Sequence, residues 1–405
     1  MTTSRNAQLG PRCIDLFAGA GGLAEGFRQA GWNIIAAVDN DPSAVATFRM
    51  NFPRTKFFEK DIRNVSPPML MRAAGVKCGE LECLLGGPPC QSFSYNNHAR
   101  TASSQRARLF RQYLRIVKKI LPQTIVMENV PGMLTVGDGA IVRAIRRGLE
   151  KLGYEVGIRI LFAEDFGVPQ ERRRVFIVAT RLGWEETLFP RGSHGPSPKP
   201  SANANPLVHH WKPCHGKKAK KPVTVWDAIG DLPRAANGAS SGKRRYRTRA
   251  QNDFQRAARR GSRAVYDQTV YRLTPRTLKR IEAVPEGGNW RDIPRRMLPA
   301  GMKRARKCDH TKRYGRLRRR GFCCTILTKC DPHWGSYIHP TQDRTISVRE
   351  AARLQSFPDT FRFIGCISKQ YEQIGNAVPP AMARAVATAL DDHLRRNKDH
   401  LAAAA

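Results

Sequence analysis

The chain has 405 residues, 41% of them hydrophobic, with 70 Lys/Arg against 33 Asp/Glu and a formal net charge of +37. That length and apolar content allow a sizeable core, arranged as about two domains. No apolar run approaches the roughly 18 residues of a bilayer span, no signal-peptide core opens the chain, and the ten cysteines include no C-x-x-C pair, so a membrane protein, a disulfide framework and a zinc finger are set aside for a cytoplasmic chain.

Residues 13–17 (CIDLF) read as a short strand, followed by Gly19-Ala20-Gly21-Gly22-Leu23-Ala24, a G-x-G-x-x-A pattern opening an amphipathic helix that ends near Gly31. Glycines at this spacing permit a tight turn and the close approach of backbone to a nucleotide-like ligand. A second strand, 34–38, ends in Asp39, a carboxylate suited to a ribose diol. Asp41 then caps a helix that Pro42 opens. A third strand ends at Asp61, near the place of an adenine. To this point a nicotinamide-dinucleotide enzyme and an S-adenosyl-L-methionine enzyme both fit, because each seats an adenosine over the first strand.

The fourth strand, 81–87, runs into Gly86-Gly87-Pro88-Pro89-Cys90-Gln91-Ser92-Phe93-Ser94. Two glycines let the chain leave the strand tightly and two prolines stiffen the loop that presents Cys90. A thiol on a rigid loop at the end of a parallel strand is placed for nucleophilic catalysis. A helix over about 104–121 follows, then a strand at 124–127 that ends in Glu128-Asn129-Val130-Pro131-Gly132. Glu128 therefore falls at the same sheet edge as Cys90, an acid beside a candidate nucleophile. Beyond a helix near 139–152 and a strand near 156–162 comes Gln170-Glu171-Arg172-Arg173-Arg174, leading into a strand at 175–179. Alternation puts Gln170, Arg172 and Arg174 on one face, suited to a phosphate or a base carbonyl.

From about Trp184 the composition changes to Gly, Pro, Ser, Asn and Lys, and a loose group of His209, His210, Cys214 and His215 is read as surface loop, with no metal site assigned. Between Lys243 and Arg320 stand 26 Lys/Arg against 6 Asp/Glu, more than half of the chain's excess charge in under a fifth of its length. Such a concentration points to a polyanion partner. Interleaved aromatic and apolar residues make this an irregular, mostly β or mixed second domain rather than a tail. Regular structure resumes at Ser347-Val348-Arg349-Glu350, a capping box opening a helix to Phe357. Residues 373–380 (QIGNAVPP) precede a terminal helix over about 380–396.

In that order, DLFAGAGGLAEGF, GGPPCQSFS, ENV, QERRR, TISVREAARLQSFPD and QIGNAVPP resemble the DNA cytosine-5 methyltransferases over residues 14–380. The resemblance implies a Rossmann-like α/β sheet with helices on both faces and a smaller, irregular target recognition domain. Residues 1–183 and 342–405 would form the catalytic and cofactor domain, and 184–341 the recognition domain. It implies S-adenosylmethionine as cofactor, no metal, a specific double-stranded DNA site as substrate, and a bacterial, nucleoid-associated modification enzyme of the kind that can be paired with a cognate restriction endonuclease. Cys90 would add to carbon 6 of a flipped-out cytosine; Glu128 would bond ring nitrogen 3 and the exocyclic amine; Arg174, and with it Arg172, would contact the base carbonyl. The cofactor pocket would comprise Phe17, Gly19, Gly21, Gly22, Leu23, Asp39, Asn40, Asp61, Ile62, Pro88, Asn376, Ala377 and Val378. Asn40 departs from the aromatic residue common after the ribose-binding acid, which shifts adenine packing to Phe17 and Ile62.

Three rivals remain at this point. Methylation of transfer RNA by a related enzyme calls for a Cys-Phe-Thr tripeptide, where this chain has Phe322-Cys323-Cys324-Thr325. A zinc deaminase needs H-x-E and P-C-x-x-C, which are absent. A catalytically dead DNA-binding relic would not be expected to keep Cys90, Glu128, Arg172, Arg174 and the whole Gly-rich loop.

Overall fold

The computed structural model describes residues 10–89, 109–195, 219–240, 242–306 and 308–403. Cys90, the first part of the helix expected from residue 104, and the His209–His215 group lie outside these residues. Seven strands form one sheet in the order β3-β2-β1-β4-β5-β7-β6. They are β1 (Arg12–Leu16), β2 (Asn33–Asp39), β3 (Lys56–Glu59), β4 (Cys83–Gly86), β5 (Thr124–Asn129), β6 (Glu155–Phe162) and β7 (Arg173–Thr180). The first five pair in parallel, while β7 runs antiparallel to both β5 and β6. The order reverses between β1 and β4, so the crevice beyond their carboxyl ends is where this class of fold binds ligands.

Period-two alternation distributes the strand side chains between two apolar layers. Ile14, Leu16, Ala36, Val38, Leu84, Ile125, Met127, Val175 and Ile177 face one layer, covered by helices α3 (Pro67–Ala74), α4 (Leu109–Ile120) and α5 (Ala140–Glu150). Cys13, Ala37, Cys83, Leu85, Val126, Phe176 and Val178 face the other, covered by α1 (Gly22–Gln29), α2 (Pro42–Asn51) and the terminal helix α12 (Pro380–Ala403). The doubly wound arrangement expected from the sequence is thus observed. Asp41 caps α2 through Ser43 N, with Pro42 at its first position. The terminal helix is anchored by the Trp32 indole, which donates to the Ala387 carbonyl at 3.1 Å, and by His393, 3.1 Å from the Thr180 hydroxyl.

The region after Trp184 is irregular, as expected, but lacks the mostly β content expected of it. Among the described residues it holds short α-helices, α6 (Val225–Ile229), α7 (Asp253–Ala258), α8 (Pro275–Glu282) and α9 (Ala300–Lys303), with three single 3-10 turns and isolated β-bridges between its loops. Two different cores hold it. Val225, Ala228, Ile229, Leu232, Val265, Leu317, Ile326 and Tyr337 belong to the same apolar layer as α1 and α12. Leu273, Ile281, Val284, Trp290, Ile293, Leu298, Met302, Tyr314 and Ile338 form a separate small core.

Buried ion pairs join this region to α10 (Val348–Leu354), whose capping box forms as expected through Ser347 and Glu350. Arg344 pairs with Glu350, Arg349 with Asp267, and Arg353 with both Asp359 and Asp231. These charges survive burial because each guanidinium is matched by a carboxylate and further hydrogen bonds. A helix α11 (Ile367–Asn376), not foreseen, leads directly to α12. Among the described residues no helix is long and apolar enough to cross a membrane.

Candidate active site

A cavity of about 760 Å³ opens beyond the carboxyl ends of β1, β2, β4 and β5. Phe17, Gly19, Gly22, Leu23, Asp39, Asn40, Asp61, Ile62, Pro88, Asn376, Ala377 and Val378 line it, together with Glu128 and Pro89. Of the residues singled out in the sequence and described here, Gly21, Arg172 and Arg174 do not.

The Gly-rich turn places backbone where side chains would intrude. Phe17 and Gly19 take positive φ, and a methyl on Gly19 would meet no protein atom within 4 Å. A methyl on Gly22 would come within 2.5 Å of the Val378 carbonyl, so its absence lets the C-terminal segment close against the turn. Gly21 sits in the left-handed region as N-cap of α1, shaping the turn from behind.

Asp39, at the end of β2, accepts from Gly19 N at 2.8 Å through Oδ2 and from Asn40 N and Asp41 N through Oδ1. Burial raises its pKa, and these three amides oppose the rise. Each carboxylate oxygen can accept twice, so Oδ2 retains capacity for a ligand hydroxyl. Asp61 caps the turn at Ile62–Asn64 and grips Arg63 at 2.9 and 2.7 Å; those hydrogen bonds hold its carboxyl below the ordinary value. Ile62 is buried beside it, and Asn40 stands at the exposed rim.

Asp15 was missed in the sequence. It is 1% exposed, its Oδ2 has no hydrogen-bond partner among the described residues, and it lines the cavity. Burial, and secondarily the charge of Asp39, pushes its carboxyl up to about 8. The signal available was its place as the sole acid inside the strand that feeds the Gly-rich turn.

Glu128, near the end of β5, is 9% exposed, and its Oε1 lies 2.8 Å from Arg174 Nε. Burial raises its pKa, and the charges of Arg174 and then Arg172 partly offset that. Next to it, Asn129 is buried and its Nδ2 donates to the Pro88 carbonyl at 3.0 Å. One strand end therefore supplies both an acid at the cavity wall and a clamp on the Pro-Pro turn that precedes Cys90.

Arg172 takes a different place from the one expected of it. Its side chain is wholly buried and donates to the carbonyls of Ile326 at 3.2 Å, Gly375 at 2.8 Å and Ala377 at 2.9 Å. It braces the Asn376–Val378 wall, whereas Arg174 alone of the pair reaches Glu128. Gln170, on the same face, is likewise structural, bonded to Ile326 N and to the Leu354 carbonyl. No three His, Cys, Asp or Glu side chains among the described residues converge as a metal site.

A family model described as C-5 cytosine-specific DNA methylase matches residues 11–392. The type II methyltransferase M.AgeI of Thalassovita gelatinovora is 33% identical over 93% of this chain and 98% of its own length. The type II methyltransferase M1.HphI of Haemophilus parahaemolyticus is 32% identical over 93% of this chain and 86% of its own. The crystal structure of a prophage-encoded protein of E. coli, described as a DNA modification methyltransferase, aligns with a TM-score of 0.71 over 95% of this chain and 100% of that one. At 24% identity that likeness is one of fold.

Proposed function

The chain belongs to the C-5 cytosine-specific DNA methylases, enzymes that methylate cytosine in DNA at carbon 5, and on that premise we propose how its residues do so. Carbon 5 of cytosine is a weak nucleophile. Cys90, as thiolate, adds to carbon 6 and makes carbon 5 enamine-like. Glu128 bonds ring nitrogen 3 and the exocyclic amine, stabilising the charge that builds on the ring during addition. Arg174 orients Glu128 and offers its remaining donors to the base carbonyl. Once carbon 5 carries the new methyl group, loss of its proton and release of the Cys90 thiolate would restore the aromatic ring. Because carbon 6 is shielded inside a base stack, the target cytosine leaves the duplex to reach the site.

S-adenosylmethionine would supply the electrophilic methyl group, and the cavity fits it on this chain's own residues. Asp15 Oδ2, without a hydrogen-bond partner among the described residues, is an acceptor for the ammonium of the methionine portion. The open space over Gly19 admits the backbone-hugging part of the ligand. Asp39 Oδ2 suits the ribose hydroxyls, Asp61 the adenine amine, and Phe17 and Ile62 the adenine faces. We assign recognition of a specific duplex sequence to residues 184–341, and a cognate restriction endonuclease as the enzyme's functional counterpart.

The observation that carries this reading is that Glu128, Pro88 and Pro89 line the same cavity as Gly19, Asp39, Asp61 and Asn376. The acid, the two prolines that precede Cys90 and the cofactor groups thus address one space. Bisulfite sequencing of DNA from cells expressing the protein identifies the methylated site. A duplex with 5-fluorocytosine at that site, whose fluorine cannot leave as a cation, should trap the wild-type enzyme covalently. Cys90→Ala should bind cofactor but form no adduct; equal trapping of both proteins would sink the assignment.

A further inference from the structure

A second cavity, of about 860 Å³, lies between α12 and the segment 186–193 and shares no lining residue with the first. Its wall holds a charge where the strand pattern calls for an apolar side chain. Along β6, Ile158 and Ile160 face the layer of α3, α4 and α5, so Arg159 and Leu161 face the layer of α12. Arg159 is 8% exposed, and its guanidinium lies over the Phe189 ring, 4.7 Å from the centroid. Its one hydrogen bond among the described residues goes to Glu186, whose side chain is 68% exposed, and its Nε has no partner among them. The buried guanidiniums of Arg344, Arg349 and Arg353 are met differently, each by a buried carboxylate and a carbonyl. A guanidinium withdrawn from water with a donor to spare is costly until a partner meets it.

The rest of the lining says what that partner is. Arg191 and Arg384 reach the same cavity from its two sides, and neither side chain has a hydrogen bond or ion pair among the described residues. Ala381, Ala385 and Ala389 follow one another a turn apart on α12, and such small side chains leave the space open opposite Phe166 and Phe189. Three arginines with donors to spare match the three terminal oxygens of a phosphate, whereas one such fork would satisfy a carboxylate. The aromatic and alanine surfaces admit an organic body, and the volume is that of a small-molecule pocket.

We propose that this cavity binds a small organic phosphomonoester, with its phosphate on Arg159, Arg191 and Arg384 and its apolar body against Phe166, Phe189 and the alanines of α12. The site goes beyond the methyl-transfer reading and does not rest on it. Phenyl phosphate, a flat phosphomonoester with neither base nor sugar, is the probe, titrated calorimetrically into the full chain with and without S-adenosylhomocysteine.

The wild type should bind one probe per chain, and inorganic phosphate, phenol and the diester methyl phenyl phosphate should each bind at least about 10-fold more weakly. Arg384→Gln, which removes an exposed donor, and Ala385→Phe, which fills the groove, should each weaken the probe by about 10-fold with unchanged urea midpoints. Arg159→Lys, which keeps the charge but loses the fork, should weaken it as well. If Ala385→Phe lowers the urea midpoint, Arg384→Gln decides alone. Saturating S-adenosylhomocysteine or duplex DNA should leave the probe affinity within about twofold. Absence of binding by the wild type, or equal binding by Arg384→Gln, would overturn the proposal. Loss of the probe to S-adenosylhomocysteine would place it in the first cavity, and loss to duplex DNA or a preference for the diester would assign the groove to a nucleic-acid backbone; each overturns the proposal and leaves the methyl-transfer reading standing.

Discussion

Replacing Arg172 with Met removes three donors while keeping an apolar chain of similar length. The Ala377 carbonyl keeps a second donor, Gln355 Nε2 at 2.7 Å, so its loss is small. The carbonyls of Ile326 and Gly375 lose the guanidinium that meets them in a wholly buried setting. A buried acceptor left unmet costs about 1–3 kcal/mol, so the two together should lower stability by roughly 4 kcal/mol. Part of that will be relieved by local loosening of residues 375–378, of which Asn376, Ala377 and Val378 line the cofactor cavity, so S-adenosylmethionine affinity should fall by about 10-fold or more. Arg174→Met should behave differently. Its partner Glu128 can take up a proton once the guanidinium is gone, so stability should drop by less, cofactor affinity should hold, and methyl transfer should fail. Urea denaturation, calorimetric titration with S-adenosylmethionine and single-turnover transfer separate the two variants. If Arg172→Met kept its stability to within about 1 kcal/mol and its cofactor affinity unchanged yet lost transfer, Arg172 would act on the base and the bracing role would be refuted.

Asp15 has its folded pKa raised to about 8, so the folded state favours its neutral form. The stability this contributes is fully present below about pH 4 and is lost as the pH climbs towards 8, by at most about 1.4 kcal/mol per pH unit. Asp15→Asn should flatten the fall in stability between pH 5 and 8, read from urea midpoints, and should weaken cofactor binding; an unchanged pH profile would place the titrating group elsewhere. Glu128→Gln should slow single-turnover transfer by about 10²-fold while barely changing cofactor affinity. A rate within about threefold of wild type would leave Glu128 a purely structural role.

The sequence by itself determined the sheet, its ligand-binding edge and most of the cavity wall. Period-two apolar segments, a G-x-G-x-x-A turn and acids at strand ends are local signals, and a strand end can point only to the carboxyl edge of a parallel sheet. Asp39, Asp61, Pro88 and Glu128 were legible for that reason. What only the tertiary structure decided is which polar groups meet which. Alternation puts Arg172 and Arg174 on one face, but it took the packing of α11 and the Ile326 loop over Arg172 to turn one of them into a brace and leave the other beside Glu128. Asp15 looked like an ordinary strand residue until burial left one of its oxygens without a partner among the described residues, beside the cavity. The irregular character expected after Trp184 is observed while its expected β content is not, and the region is tied in by long-range ion pairs, Arg349 with Asp267 and Arg353 with Asp231, rather than by any local periodicity. Partners 82 and 122 residues apart leave no pattern in a window of sequence; they become neighbours only when the chain has folded and water has been excluded from around their charges.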